Sequence, residues 1–155
     1  MRCLAAGAVL VRGGVPPTVG SAVGALPGAR SAAPVQSGVG AVHELGIVFS
    51  IMDTVEEVAR DNQVTCVSSV TLEVGEVASI VEYYLKDCWR WAVQRSEVLA
   101  DSELVIKPLP AVTYCEACDS TYPTVEHGRT CPHCGSGRTY LLTGNELNIL
   151  EIEAR

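Results

Sequence analysis

Two Cys-x-x-Cys pairs, Cys115/Cys118 and Cys131/Cys134, stand twelve residues apart within Tyr114–Tyr140, and no other stretch restricts the fold as tightly. Each pair can set two thiolates on one tight turn. Two such turns facing each other complete a tetrahedral shell of four sulfurs, the arrangement zinc prefers. Pro132, Gly135, Ser136 and Gly137 supply turn residues for zinc knuckles closed by backbone N–H···S contacts. A shell of four protein ligands leaves no open position, so the expected Zn(II) is structural and performs no hydrolysis.

Three other uses of these cysteines compete with zinc. Disulfides suit an oxidising compartment, but seven cysteines is an odd total and nothing else in the chain resembles a secreted, loop-rich scaffold. A thioredoxin-like centre needs one pair after a strand and opening a helix, whereas these pairs lie among Pro, Gly, Ser, Thr and Asp. Iron–sulfur ligation is the remaining competitor. The expected location is cytoplasmic.

A length of 155 residues allows one ordinary domain, or a small domain plus a metal-held module. The net charge of −7 argues against a surface that neutralises nucleic-acid phosphates, which matters because zinc ribbons recur in such proteins. Aromatic residues are sparse, and the ribbon holds only Arg129 and Arg138 as fixed positive charges, so no stacking platform for single strands is expected.

The first 41 residues contain eight of the fourteen glycines, four of the eight prolines, three arginines and no acidic residue. The remainder from Val42 carries a charge of −10, from 8 basic and 18 acidic residues. So sharp a break marks a boundary. Arg2 followed by Cys3–Val11 resembles the start of a secretory signal, but Arg12 and Gly13–Gly14 stop the apolar run well short of a membrane span. Two readings remain: a disordered leader, or a misassigned start. Val42 can be encoded by GTG, which bacteria also use to initiate. Ala-, Gly-, Val- and Arg-rich text with only two lysines in the whole chain, Lys86 and Lys107, matches translated upstream sequence of a GC-rich genome.

Past Val42 the pattern becomes regular. His43–Asn62 places Ile47, Val48, Ile51, Met52, Val55, Val58 and Ala59 on one helical stripe, with Glu56 and Arg60 free to pair outside. Val64, Cys66, Val70, Leu72 and Val74 share one parity and predict a half-buried strand closed by Gly75. Ser79-Ile80-Val81-Glu82 reads as a capping box opening a helix to about Arg95, with Val81, Tyr84, Leu85, Cys88, Trp89 and Ala92 inward. Trp89 and Trp91 cannot share a face, so one is core and the other a candidate contact surface. Glu103–Leu109 predicts a second strand, and Asn145–Glu153 a third returning to the same sheet.

The expected class is α+β: two helices on one face of a small three-stranded sheet, with a four-cysteine zinc ribbon inserted before the last strand. Residues 42–110 and 141–155 form the α/β domain and 111–140 the ribbon. Cys66 and Cys88 read as buried small hydrophobes. No phosphate-cradling Gly loop, nucleophile elbow or partnered carboxylate pair follows Val42, so the residues describe a non-enzymatic metal protein.

One further set of residues sharpens this. Val42-His43-Glu44 in place of an opening Met-His-Glu, the first amphipathic helix, Gly75-Glu76, the Cys115/Cys118 and Cys131/Cys134 ribbon with its Cys-Pro-x-Cys-Gly, and the closing Gly144-Asn145-Glu146-Leu147 occur in that order. Together they resemble the HypA/HybF family of hydrogenase-maturation nickel metallochaperones, over Val42–Arg155. The resemblance implies that Ni(II) is cargo, bound at His43 near the natural N-terminus, with Glu44 as a carboxylate that tunes or joins the site. An α-amine at position 42, deprotonated backbone amides and the imidazole make the nitrogen-rich square plane that nickel favours. Without the resemblance, a His before a helix is a surface or capping residue. In the chain as given the α-amine lies 41 residues from Val42, so that site requires initiation at 42, removal of the leader, or a weaker mode of binding.

The resemblance also implies partners: the precursor of a nickel–iron hydrogenase large subunit and an accessory maturation GTPase, with no nucleic acid and no membrane. Monomer and homodimer both stay open, as does urease as a second client. Asp119 and Gly135 stand where some family members carry His after a Cys-x-x-Cys, and His127 and His133 substitute only loosely, so no pH switch is expected. The competing classes are a zinc-ribbon interaction or nucleic-acid-binding module without nickel, and a redox protein cycling one Cys pair.

Overall fold

A computed structural model of the chain describes residues 9–11 and 39–154, with side chains from His43 to Ala154. The first helix, α1 (Val39–Asp61), buries Val48, Ile51, Met52, Val55 and Ala59, the stripe predicted from spacing. It begins upstream of His43, since no proline lies between Pro34 and His43 to stop it. It ends on a left-handed Gln63 at φ 55°, where Val64 N–H reaches Ala59 O at 2.8 Å and Gln63 N–H reaches Arg60 O at 3.2 Å. Glu56, expected to pair with Arg60, instead accepts the Ser96 hydroxyl from beyond the second helix.

Strand β2 (Val67–Gly75) is central to the main sheet. It runs parallel to β3 (Glu103–Leu109) and antiparallel to β7 (Leu147–Ala154). A parallel pair needs a crossover, and α2 (Glu82–Ala92) with the short 3-10 turn Val93–Arg95 supplies it. Helices α1 and α2 pack together over the sheet, enclosing Leu72, Val70, Leu85, Trp89 and Leu99. Trp89 is the buried tryptophan, its indole N–H donating to Ser102 O at 3.2 Å. Trp91 is half exposed, edge-on to Phe49 and stacked under the Arg95 guanidinium at 3.8 Å.

The start of α2 departs from expectation. Ser79 adopts φ 57° and caps nothing, the helix begins at Glu82, and Val81 is an N-cap without a side-chain bond. The acceptor comes from α1: Glu44 Oε1 receives the Val81 N–H at 3.4 Å, placing a carboxylate at the positive end of the helix. Glu82 turns to Lys86 at 2.6 Å instead of reaching back. With the helix starting later, Leu85, Trp89 and Ala92 form its buried face, Cys88 is half-buried, and Val81 and Tyr84 are exposed.

A further difference lies in the leader, expected to stand outside the fold. Strand β1 (Val9–Val11) pairs antiparallel with β7, Val9 opposite Ala154 and Val11 opposite Ile152, so the sheet has four strands in the order β1-β7-β2-β3. A β-prone Val-Leu-Val there meets the unpaired backbone groups that β7 would otherwise leave at the sheet edge. Residues 39–41 begin α1; the rest of the leader, and with it the reading of disorder, lies outside the described residues. Among the described residues no helix is long and apolar enough to cross a membrane.

Between β3 and β7 the chain makes a second, three-stranded sheet ordered β5-β4-β6: β4 (Val112–Cys115), β5 (Ser120–Pro123) and β6 (Thr139–Thr143), with the short helix α3 (Thr124–His127) after β5. The joint between the sheets is made of the Gly-Glu motifs. Gly75 N–H bonds to Glu146 O and Val77 N–H to Gly144 O, both at 2.8 Å, while Glu76 Oε2 accepts the Ala111 N–H at 2.8 Å. A Cβ on Gly75 would lie 2.1 Å from Gly144 O, and one on Gly144, at φ 113°, 2.4 Å from Ala111 Cα. Gly144→Ala should therefore destabilise the protein by at least about 1–3 kcal/mol from its backbone conformation alone. Gly46→Ala, in open space on α1, should stabilise it by about 0.5–1 kcal/mol. Urea denaturation of both variants checks this; equal midpoints would refute the account of the joint.

Candidate metal centre and family membership

The ribbon's two turns are set by local backbone. Cys115 ends β4, and the chain reverses through Cys118 and a left-handed Asp119 at φ 53° into β5. On the other side Gly135 N–H returns to Cys131 O at 2.9 Å, Cys131 N–H bonds to Ser136 O at 3.0 Å, and Gly135 sits at φ 73°. These turns bring together all four sequence-predicted ligands. Their sulfurs lie within 4.8 Å of one another, with Cys115–Cys134 at 3.7 Å and Cys118–Cys131 at 3.6 Å.

Those distances test the metal. A tetrahedron with metal–sulfur bonds of ~2.3 Å has sulfur–sulfur edges of about 3.8 Å, so the two short edges already have the spacing of a four-sulfur zinc shell. Cys115 and Cys131 are buried and Cys118 and Cys134 exposed, and the only other buried member of the local core is Tyr122, whose hydroxyl donates to Gly128 O at 3.2 Å. So small a core cannot hold a domain by apolar burial, and a bound dication would replace it.

The thiols themselves need that charge. Burial would raise Cys131, but the N–H groups of Cys134 and His133 and the thiols of Cys118 and Cys115 bring it down to about 6. Cys134 receives the Ser136 N–H, which lowers it, yet its crowding by Cys118, Cys115 and Cys131 together with desolvation pushes it up to about 12. One sulfur ionises easily and another resists, as expected where several negative charges would share one small volume.

Beside the shell, Tyr114 OH donates to Asp119 at 2.6 Å and its ring lies 5.3 Å from Tyr140. That hydrogen bond to Asp119, then desolvation and the carboxylate's charge, push the Tyr114 phenol up to about 12. His127 packs edge-on to Tyr122 and lies 3.7 Å from Glu126, and neither His127 nor His133 belongs to the four-sulfur group.

The nickel candidates are elsewhere. His43 is exposed, whereas Glu44, adjacent to it on α1, is buried at 2% exposure. Glu44 Oε2 has no hydrogen-bond partner. Sequence reasoning gave Glu44 a role only through the resemblance, because its burial depends on α2, thirty-seven positions further on at Val81. In the sequence the joint residues Glu76 and Glu146 are motif letters only. Their structural work, holding Ala111 N–H and Gly144 N–H, has no local sequence signal.

Two outcomes follow. Stripping the metal with a strong chelator, or Cys131→Ser, should abolish hydrogen-exchange protection across residues 112–143 while β2 keeps its own; retained ribbon protection in metal-free protein would sink the structural-zinc account. Tyr114 should ionise near pH 12 by phenolate absorbance, and Asp119→Asn should return it toward 10.0. Because the folded value is raised, this bond supports the fold below the unfolded value and its contribution is lost as pH climbs through about 12.

Comparison with known proteins agrees with the geometry. The model of the family described as "Hydrogenase/urease nickel incorporation, metallochaperone, hypA" matches residues 42–154. The chain is 37% identical over 111 residues to a protein named hydrogenase maturation factor HypA of Chlorobium phaeobacteroides, covering 72% of this chain and 97% of that one. It is 33% identical over 112 residues to hydrogenase maturation factor HybF of Klebsiella pneumoniae, covering 72% and 98%. Its fold resembles the solution structure of the Ni metallochaperone HypA from Helicobacter pylori, with a TM-score of 0.57 and 24% identity over 72% of this chain and 96% of that one. The chain therefore belongs to the HypA family of hydrogenase and urease nickel-incorporation metallochaperones, and it is not an enzyme.

Proposed function

We propose that the chain takes up Ni(II) at His43, carries it to the precursor of a hydrogenase large subunit, and works with an accessory maturation GTPase. The observation that carries this reading is the family match, which begins at Val42, immediately before His43. Bound zinc holds the ribbon as a docking surface. No nucleotide motif lies in the chain after Val42, so nucleotide hydrolysis belongs to the partner.

The nickel ligands are the imidazole of His43, backbone nitrogens and an α-amine, with the Glu44 carboxylate beside them. In the full chain the residues just before His43 are helical, so its amide is engaged in α1, and Val42 carries no α-amine. Initiation at 42, or removal of the leader, frees both the amine and the first-turn amides, and a d⁸ ion can then take a square plane. An acidic surface suits a cation carrier through its field.

Calorimetric titration of nickel into two zinc-loaded proteins tests this, one beginning Met-His-Glu at position 42 and one with the full leader. The short form should bind one nickel tightly, and its His43→Ala variant should lose that binding. If the short form binds no nickel, the carrier reading fails and a ribbon docking module replaces it.

A further inference from the structure

Strand β7 has β2 on one side and β1 on the other, and β1 is short: Val9, Leu10 and Val11 pair with Ala154, Glu153 and Ile152. Among the described residues nothing pairs with residues 147–151 on that side. Edge backbone of this kind offers N–H and C=O groups to a further strand. The pairing with β1 shows the orientation this edge accepts, which is antiparallel. Without β1 all eight residues of β7 lie open on that side.

The faces of β7 decide which strand fits. Leu147, Ile149 and Ile152 pack on the core, and Ala154 stands opposite the buried Val67. Asn148 and Glu153 lie on the outer face, bonded to Glu73 at 3.2 Å and to Ser69 at 2.8 Å. The pairing with β2 skips Leu150, a bulge that leaves two residues between the core positions Ile149 and Ile152 instead of one. The pattern therefore reads alike from both ends: core, outer, core, two bulge residues, core, outer, core. A twofold axis perpendicular to the sheet, between Leu150 and Glu151, sets Leu147 against Ala154, Asn148 against Glu153, Ile149 against Ile152 and Leu150 against Glu151 of a second copy. Every pair keeps its face and no acid meets an acid. Moving the axis onto Leu150 or Glu151 would set core residues against outer ones.

We propose that β7 is a self-pairing edge through which two copies of a chain beginning at 42 join their sheets into one of six strands, and that Val9–Val11 keeps the full chain monomeric by occupying the same edge. The two uses exclude each other, because β1 sits where residues 147–149 of the second copy would lie. Charge favours the leader as the occupant in the full chain: its first 41 residues carry three arginines and no acid, beside a remainder of −10. Nickel takes no part, so this inference stands apart from the His43 reading.

Sedimentation equilibrium on zinc-loaded, nickel-free proteins tests it. The full chain should weigh 16.4 kDa, a monomer. Two proteins should weigh twice their own mass: the chain beginning at 42, which keeps every residue of both buried cores, and the full chain carrying Leu10→Pro with Val11→Pro. Adjacent strand residues point their N–H groups to opposite sides, so one of the two prolines removes a donor from the β7 side. Leu150 has no partner on β2 and lies outside the core, so it takes a charge without disturbing the fold. In the short chain Leu150→Glu, which sets four carboxylates around the axis, should weaken the dimer roughly tenfold, while Leu150→Lys, facing Glu151, should keep it. Amide exchange across residues 147–154 of the short chain should slow as its concentration rises, a readout that needs no variant. A short chain or a proline variant that stays monomeric, a full chain that dimerises, or equally tight dimers of Leu150→Glu and Leu150→Lys would each overturn the inference.

Discussion

Gly75 lies so close to the Gly144 carbonyl, and Gly144 to Ala111, that neither glycine can carry a side chain, and this crossing fixes how the two sheets meet. The chain leaves the main sheet after β3, builds the ribbon, and re-enters at β7, with both passages pinned within a few residues of the crossing. Glu76 and Glu146 complete it by accepting backbone N–H groups that would otherwise be orphaned in a place with little room for water. A displaced crossing would move Leu147 relative to Val74, and with it the register along β2. The glycines are thus needed for what the backbone must do at one point, and the carboxylates for what it would lack there.

Beyond the crossing the two parts are stabilised in different ways. The main sheet and its helices bury a row of aliphatic side chains and Trp89, and they need no metal for that. The ribbon has Tyr122 and two buried cysteines, and its strands are four or five residues long. Four sulfurs gathered in one small volume resist joint ionisation, so the arrangement is poor without a dication and strong with one.

Much of this was legible in the sequence because it depends on neighbours in the chain. The Cys-x-x-Cys turns, the stripe of α1 and the bounds of β3 each follow from spacing within a few residues, and the two tryptophans divided between core and surface as their helical positions require. What was misread depends on distant partners. Ser79-Ile80-Val81-Glu82 has the letters of a capping box, but Glu44 had already supplied a carboxylate to that helix end, and Ser79 went left-handed instead. Val81 stands before the first turn of the helix, and Tyr84 falls beside the Leu85–Trp89–Ala92 face rather than on it. Nothing in the sequence around Glu44 marks it as buried, and only the packing of α2 encloses it. The edge strand Val9–Val11 belongs to the same group, since its partner β7 lies at the other end of the chain.

The insertion of the ribbon between β3 and β7 has a kinetic side. Val112 and Thr143 are paired across β4 and β6, so a formed ribbon holds its own two ends together. To the main sheet it then looks like a short connection, from which β7 passes β2 and pairs antiparallel with it on the side away from β3. With the ribbon open, the same pairing must close a loop spanning residues 110–146 before any strand contact rewards it. Metal uptake thus shortens the effective chain, and the order of events during synthesis matters: a ribbon charged as it emerges lets the last strand find its place as soon as it is made.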